Sequence, residues 1–292
     1  MHIDFWVALG GLVVGLVVGL TGMGGGALMT PMLILLFGVQ PLAAVSSDLV
    51  AAVVMKPVGG AVHLSRGTVH LGVVRWLALG SVPSAFVGVL LLRWIGSGDL
   101  QRDLTLAMGA ALLLALAGMA VRALLGTRQG PVADDDVVPP VRPLVTVGVG
   151  VLGGLIVGMT SVGSGSLMIV LLMLLYPQLP IRRLVGTDLV QAIPLVASAA
   201  LGQLIFGDVK LGLTTSLLIG SLPGVYVGAR FSAAATGSWV RWVLGIVIAA
   251  SAAKLLGADN VALGVVVVAG AAVWLGSTVV VPRARRAVPS GA

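Results

Sequence analysis

The chain has no cysteine, and charged residues make up only 9% of its 292 residues. Without thiols it can form no disulfide bond, hold no metal through thiolate ligands and use no cysteine nucleophile. Aromatic residues are also scarce, at 4%, and the arginines stand at the ends of apolar runs without aromatic residues between them. The net charge of +7 therefore does not indicate nucleic-acid binding. Arginines in cytoplasmic loops of a membrane protein are the better explanation.

Several functional patterns are missing as well. The glycine run at residues 23–27 lacks both the Gly-Lys-Ser/Thr ending and the preceding strand of a phosphate-binding P-loop. No group of residues resembles a metal site, and no cofactor is expected. Residues 1–4 contain no basic n-region and no convincing cleavage site follows them, so the first apolar segment is expected to be retained as a helix.

Hydrophobic residues make up 58% of the chain and form several continuous runs. A helix needs about 20 apolar residues to cross the hydrocarbon core, whereas a membrane β-barrel would show alternating segments of about ten residues, which do not occur. The sequence therefore predicts an all-α, polytopic transmembrane helical bundle. The predicted apolar segments are residues 5–37, 42–65, 69–95, 104–125, 143–176, 181–206, 209–231, 239–256 and 261–281.

The same glycine-rich pattern occurs in both halves of the chain. Residues 19–28 read GLTGMGGGAL and residues 158–167 read GMTSVGSGSL, and further matches join 48–50 to 188–190 and 80–83 to 220–223. Two Gly-interrupted apolar segments at equivalent places predict a broken helix in each of two homologous halves, with the binding site of a transporter between them. Glycines at every fourth residue before each break predict close helix packing.

The repeat divides the chain into four parts. Residues 1–125 are the first transmembrane repeat, and residues 143–256 are the second. Residues 126–142 form a polar linker with three consecutive aspartates, and residues 257–292 form an additional C-terminal helix and a basic tail. The placement of the arginines favours inverted repeats, with the linker and the C-terminus in the cytoplasm.

The glycine breaks are the predicted substrate-binding elements. Backbone amides exposed at the start of a half-helix form a cradle for an anion, and within a membrane they are tolerated only where protein or a water-filled cavity surrounds them. The alternative is that these glycines only permit tight packing. The predicted substrate-binding residues are Thr21, Gly24, Gly25, Gly26, Lys56, Thr160, Gly163, Ser164 and Gly165.

Lys56 lies in the middle of the segment 42–65, too far from either end for its ammonium group to reach the interface easily. An unpaired charge at that depth costs several kcal/mol, so Lys56 requires a partner. An anionic substrate, Asp48 or another carboxylate could serve. Because the repeat counterpart of Lys56 is Val196, any role of the lysine is asymmetric.

Four residues are candidates for ion coupling. Asp48 and Asp188 are the acidic residues that recur at equivalent positions, each beside hydroxyl residues, and they are interpreted either as helix N-caps or as a proton relay. His63 and its counterpart Gln203 complete the set, and His63 is either a proton carrier or an interfacial polar residue. A serine protease built on Ser164 and His63 is disfavoured because no second serine–histidine pair supports it, and the chain is not expected to be an enzyme.

Several motifs together resemble those of the sulfite exporter TauE/SafE family. They are the glycines 24–26 followed by Thr-Pro at 30–31, the polar segments 46–49 and 186–189, His63 before a glycine at 67, and the paired Gly-Ser-x-Pro sequences. The resemblance covers about residues 5–242. It implies a permease of the prokaryotic cytoplasmic membrane that moves sulfite, sulfonates or related small anions, coupled to an ion gradient. The second half has Ile-Val at 169–170 instead of Thr-Pro, so the two breaks are not expected to act identically.

The expected function is a secondary transporter of small oxyanions that works by alternating access. The alternatives are a channel or permease for another small solute and a membrane assembly protein that transports nothing. The expected partners are the anionic substrate and the lipid bilayer, with no nucleic acid, and a homodimer is left open.

Overall fold

The computed structural model describes residues 4–21, 25–95, 99–126, 139–235 and 238–259, together with 261, 263–265 and 268. Within these ranges the secondary structure is entirely helical, which confirms the predicted all-α fold. The helices are α1 Phe5–Thr21, α2 Gly26–Leu35, α3 Pro41–Ser65, α4 Leu71–Ile95, α5 Leu100–Gly126, α6 Pro143–Thr160, α7 Leu167–Leu175, α8 Ile181–Phe206, α9 Leu211–Ala235 and α10 Ser238–Leu255. Gly24, most of the predicted linker and most of the predicted helix 261–281 lie outside the described residues.

Six of these helices contain a stretch that is long and apolar enough to cross a membrane. These stretches are Pro41–Ser65, Leu71–Leu92, Leu100–Val121, Pro143–Thr160, Ile181–Phe206 and Leu211–Arg230. Three shorter apolar helices, Phe5–Thr21, Gly26–Leu35 and Trp242–Leu255, accompany them. The length and apolar composition of these helices agree with the predicted multi-pass membrane protein.

Each of the long apolar segments 5–37 and 143–176 forms two helices instead of one. Helix α6 ends at Thr160 because Ser161 adopts the left-handed conformation, with φ of 59°, and Gly163 and Gly165 follow with φ of 120° and 94°. Such angles are easy for glycine and interrupt a right-handed helix. Helix α7 then has nine residues and a length of about 14 Å, much less than the hydrocarbon core.

The regularly spaced glycines bring helix backbones into direct contact. Helix α1 packs along α9, and α6 packs along α4. A Cβ atom on Gly15 would lie 2.8 Å from the Cα of Ser221, and one on Gly154 would lie 2.8 Å from the Cα of Ser81, closer than real Cβ atoms approach. The prediction of close packing at these glycines is confirmed.

Helices α3 and α8, at the centre of the bundle, run antiparallel. Ser46 near the start of α3 donates a 2.8 Å hydrogen bond from Oγ to Oε1 of Gln203 near the end of α8. At the other end, a Cβ on Gly186 would lie 3.1 Å from Nδ1 of His63. The sequence repeat pairs α3 with α8, and two equivalent helices that cross in opposite directions are what inverted repeats require. The duplication itself, the domain boundaries and the cytoplasmic side stay predictions from the sequence.

Candidate functional site

The segment between α6 and α7, residues 161–166, contacts charged side chains from both central helices and is called the α6–α7 connector below. Ser161 donates from Oγ to Oδ2 of Asp48 over 2.7 Å. Three residues later, Ser164 accepts a hydrogen bond at Oγ from Nζ of Lys56, and this bond is 2.6 Å long. The connector therefore unites a carboxylate and an ammonium group of α3 that stand two turns apart.

Asp188 of α8 contacts the same connector. Its carboxylate accepts a hydrogen bond from the backbone N–H of Gly165, and its Oδ1 accepts a second, 3.2 Å long, from Nε2 of Gln191. Gln191 in turn accepts from Oγ of Ser81 at 3.1 Å. Amide donors and a nearby lysine, Lys56, thus surround Asp188, although only 1% of its surface is exposed.

Neither aspartate is a helix N-cap, so that interpretation of the sequence is wrong. The N-cap of α3 is Gln40 and the N-cap of α8 is Pro180. Asp48 and Asp188 lie about two turns inside their helices, where the backbone N–H groups already bond within the helix. Their carboxylates instead project into the protein and accept hydrogen bonds from other elements.

Lys56 is buried, with 8% of its surface exposed. It interacts electrostatically with both Asp188 and Asp48 without touching either of them. Among the described residues, direct contact between oppositely charged side chains, with nitrogen and oxygen within 4.0 Å, occurs between Lys210 and Asp208, at 2.9 Å, and does not involve Lys56. The direct structural ion pair that the sequence left open for Lys56 is therefore not formed among these residues, and its hydrogen bond goes to a neutral serine.

The first glycine break meets the connector of the second half. Gly25 is the N-cap of α2, and a Cβ added to Gly26 would overlap the carbonyl group of Ser161. From the next turn of α2, Thr30 donates from Oγ1 to Oδ2 of Asp48 over 2.7 Å. Asp48 therefore accepts one hydrogen bond from α2, which follows the first break, and one from the first residue of the α6–α7 connector.

The two predicted threonines bond to the backbone of their own helices. Thr21 donates from Oγ1 to the carbonyl oxygen of Val17 at 2.8 Å, and Thr160 donates to that of Ile156 at 2.7 Å. Thr160 also accepts from the N–H of Val162 at 3.1 Å, which supports the turn into the connector. A contact between either hydroxyl group and a substrate stays a prediction.

His63 and Gln203 lie at opposite ends of the α3–α8 pair, away from the connector. His63 shares a 2.9 Å hydrogen bond between Nδ1 and Oγ1 of Thr68. Gln203 is fully buried and accepts from Ser46. Among the described residues, neither His63 nor Gln203 is hydrogen-bonded to Asp48 or Asp188. Ser164 is bonded to Lys56 and not to His63. The serine–histidine arrangement of a protease gains no support from these contacts.

Sequence reasoning assigned no role to two polar residues of this site, Ser161 and Gln191. Ser161 and Gln191 escaped because their repeat counterparts are Gly22 and Ala51, so a search for matching positions passes over them. Ser166 is buried, and its Oγ has no hydrogen-bond partner among the described residues. The sequence had already indicated Ser166 as a hydroxyl donor, and polar side chains inside apolar segments are the signal that would have found Ser161 and Gln191 as well.

Comparison with known proteins gives a consistent picture. Residues 7–255 match the family described as sulfite exporter TauE/SafE. The probable membrane transporter protein YjnA of Bacillus subtilis (strain 168) is 35% identical over 252 residues, which cover 86% of this chain and 98% of that protein. The probable membrane transporter protein YdhB of the same organism is 26% identical over 218 residues, 75% of this chain and 86% of that protein. No solved structure matches. Six membrane-crossing helices and a family match over nearly the whole length together show that this chain belongs to the sulfite exporter TauE/SafE family of membrane transporters.

Proposed function

We propose that the protein is a secondary transporter of small oxyanions, such as sulfite, sulfonates or related sulfur-containing anions, and that Lys56 is the principal charged contact of the substrate. The observation that carries this proposal is the hydrogen bond from the buried Lys56 to Ser164, just before α7 begins. The family described as sulfite exporters supports the class of substrate.

The surroundings of Lys56 suit an anion. The N-terminal end of a helix carries partial positive charge and free N–H groups, and α7 begins three residues after Ser164. The hydroxyl group of Ser166, the N-cap of α7, is a buried donor with no partner among the described residues. An ammonium group has three donors, and Ser164 accepts one of them. An anion between Lys56 and α7 would use donors that are present before it binds.

The bound anion would also change the charge balance of the site. Lys56 interacts with Asp188 at a distance instead of through direct contact, so its buried charge is only partly compensated. A substrate anion would supply the missing partner and offset the cost of its own desolvation. The antiparallel arrangement of α3 and α8 suits alternating access, in which two equivalent halves open in turn to opposite sides.

Removal of the ammonium group tests the proposal. The variant Lys56→Met should bind sulfite at least about 30-fold more weakly, because loss of a buried charge contact costs about 2–5 kcal/mol. Lys56→Arg should recover only part of the affinity, since the guanidinium fork is larger than an ammonium group. Purified protein would be titrated with sulfite, sulfate, thiosulfate and small sulfonates and followed by calorimetry or thermal shift, because a ligand that binds only the folded state stabilises it.

Lys210→Met provides the matched control. Lys210 is an exposed lysine in the α8–α9 loop that pairs with Asp208, so its loss should leave anion affinity unchanged. If Lys56→Met binds every tested anion as the wild type does, the site lies elsewhere. In proteoliposomes, saturable uptake driven by an ion gradient is the expected result. Flux that does not saturate would indicate a channel, and no flux at all would exclude transport of the tested anions.

A further inference from the structure

The two aspartates at equivalent positions have opposite surroundings. Asp188 receives a backbone N–H from Gly165 and a side-chain amide from Gln191, and it interacts with the charge of Lys56. Asp48 is bonded to the hydroxyl groups of Thr30 and Ser161, both of which donate to its Oδ2. The two positions are equivalent in the sequence repeat, but they are surrounded by different groups.

The helix ends increase this difference. Ser161 is the C-cap residue of α6, so Asp48 accepts a hydrogen bond at the end where the last carbonyl groups of that helix carry partial negative charge. Gly165 precedes α7, so Asp188 lies beside the positive end of a helix. A buried carboxylate, two hydroxyl oxygens and the carbonyl end of α6 form a set of oxygen ligands that suits a small monovalent cation. In many secondary transporters the C-terminal ends of broken helices bind the coupling cation.

We infer that Asp48, Thr30 and Ser161, with the C-terminal end of α6, bind a small monovalent cation, either Na⁺ or a proton, and that Asp188 does not. Asp188 is instead the charge partner of Lys56. The role of the cation in coupling rests on the proposed anion transport, whereas its binding does not. The α6–α7 connector thus has a cation site at its start and an anion site at its end.

The other charged groups near Asp48 leave it available for this cation. Lys56 stands two turns away on the same helix and bonds to Ser164. On the neighbouring α8 the charged group close to this site is Asp188, and it interacts electrostatically with Lys56. In the α8–α9 loop, Asp208 and Lys210 donate from their backbone N–H groups to Ser46 and Ser47 of α3, and their side chains pair with each other.

A cation at Asp48 should strengthen anion binding at Lys56. Lys56 is attracted by the carboxylates of Asp48 and Asp188. Because a cation neutralises Asp48, an anion at Lys56 then competes only with Asp188. By linkage the anion strengthens cation binding by the same factor. Asp48→Asn therefore mimics the cation-bound state: it should bind sulfite at least as tightly as the wild type, without dependence on Na⁺ or pH, and should lose accumulation driven by an ion gradient.

The experiment measures cation binding to the full-length purified protein without any anion substrate. In one arm, Na⁺ replaces choline at constant ionic strength and pH, and the melting temperature is recorded. In the other arm, infrared difference spectra are taken through a pH titration in choline, and the carbonyl band of a protonated carboxyl group is followed. We expect one of the two signals in the wild type, its loss in Asp48→Asn and its retention in Asp188→Asn.

Two further variants guard against a folding defect in Asp48→Asn. Ser161→Gly removes a hydroxyl ligand and suits the left-handed backbone at this position, and Thr30→Val removes the other hydroxyl group at constant shape. Both should fold and bind the cation more weakly. The inference is overturned if neither signal exists in the wild type, if the signal persists in Asp48→Asn, or if Asp188→Asn abolishes it.

Lys56→Met separates this inference from the proposed function. It should lose anion binding and keep the cation signal. In the wild type, a cation signal without binding of any tested anion would refute the proposed function alone, whereas anion binding without any cation signal would refute the inference alone.

Discussion

Gly26 and Gly25 are neighbours at the first break, and alanine should lower the stability of the protein at Gly26 but not at Gly25. A Cβ on Gly26 would overlap the carbonyl group of Ser161, while the nearest atom to a Cβ on Gly25 is Cε of Met55 at 3.9 Å. Gly25 also has helical angles, with φ of −57° and ψ of −33°, that alanine adopts without strain. One methyl group therefore tests how closely the two breaks approach each other.

The magnitudes follow from these contacts. Forcing a methyl group into a packed site costs about 1–3 kcal/mol. Displacement of Ser161 also loses its hydrogen bond to the Asp48 carboxylate, worth about 1.5–3 kcal/mol. Gly26→Ala should therefore lower the melting temperature by about 6 °C or more, at about 2–4 °C per kcal/mol. Gly25→Ala should leave stability unchanged or raise it by up to about 1 kcal/mol, through reduced freedom of the unfolded chain.

The assay is thermal unfolding of both variants in the same detergent, followed by a double mutant. If Gly26→Ala already breaks the bond between Ser161 and Asp48, then Ser161→Gly should cost less in that background than in the wild type, because the two changes share one interaction. Equal melting temperatures of Gly26→Ala and Gly25→Ala would refute the close approach of the breaks. Full additivity in the double mutant would refute the proposed loss of the hydrogen bond.

Three other predictions use the same structure. Gly154→Val should separate α6 from α4 and reduce the yield of folded protein. Gly148→Val on the same helix should be tolerated, because a side chain there meets open space. Gel filtration of both variants measures the yield of folded protein. Ser166→Ala should keep the melting temperature, because its hydroxyl group has no described partner to lose, and should weaken sulfite binding several-fold in calorimetry; unchanged affinity would remove Ser166 from the site. A single cysteine in residues 126–142 should be labelled from the cytoplasm only, and labelling from outside intact cells would contradict the proposed orientation.

The helices and their membrane character follow from local sequence. A run of about 20 apolar residues satisfies its own backbone hydrogen bonds only as a helix within lipid, so composition and length are sufficient to identify the spans. Glycines at every fourth residue give one face of a helix without side chains, and such a face packs closely whichever helix it meets. The predicted contact surface on α6 was therefore correct, although its partner, α4, was not identifiable.

The contents of the site depended on tertiary structure. Ser161 lies 113 positions from Asp48 in the chain, and Ser164 lies 108 positions from Lys56. Only the antiparallel crossing of α3 and α8 beside the α6–α7 connector brings these groups together. The repeat showed that Asp48 and Asp188 are equivalent in sequence, yet it could not show their different surroundings, because hydroxyl groups contact one and amides contact the other. The local sequence determines which polar residues lie within the apolar helices. Which hydrogen-bond donors contact each of them depends on how the helices pack.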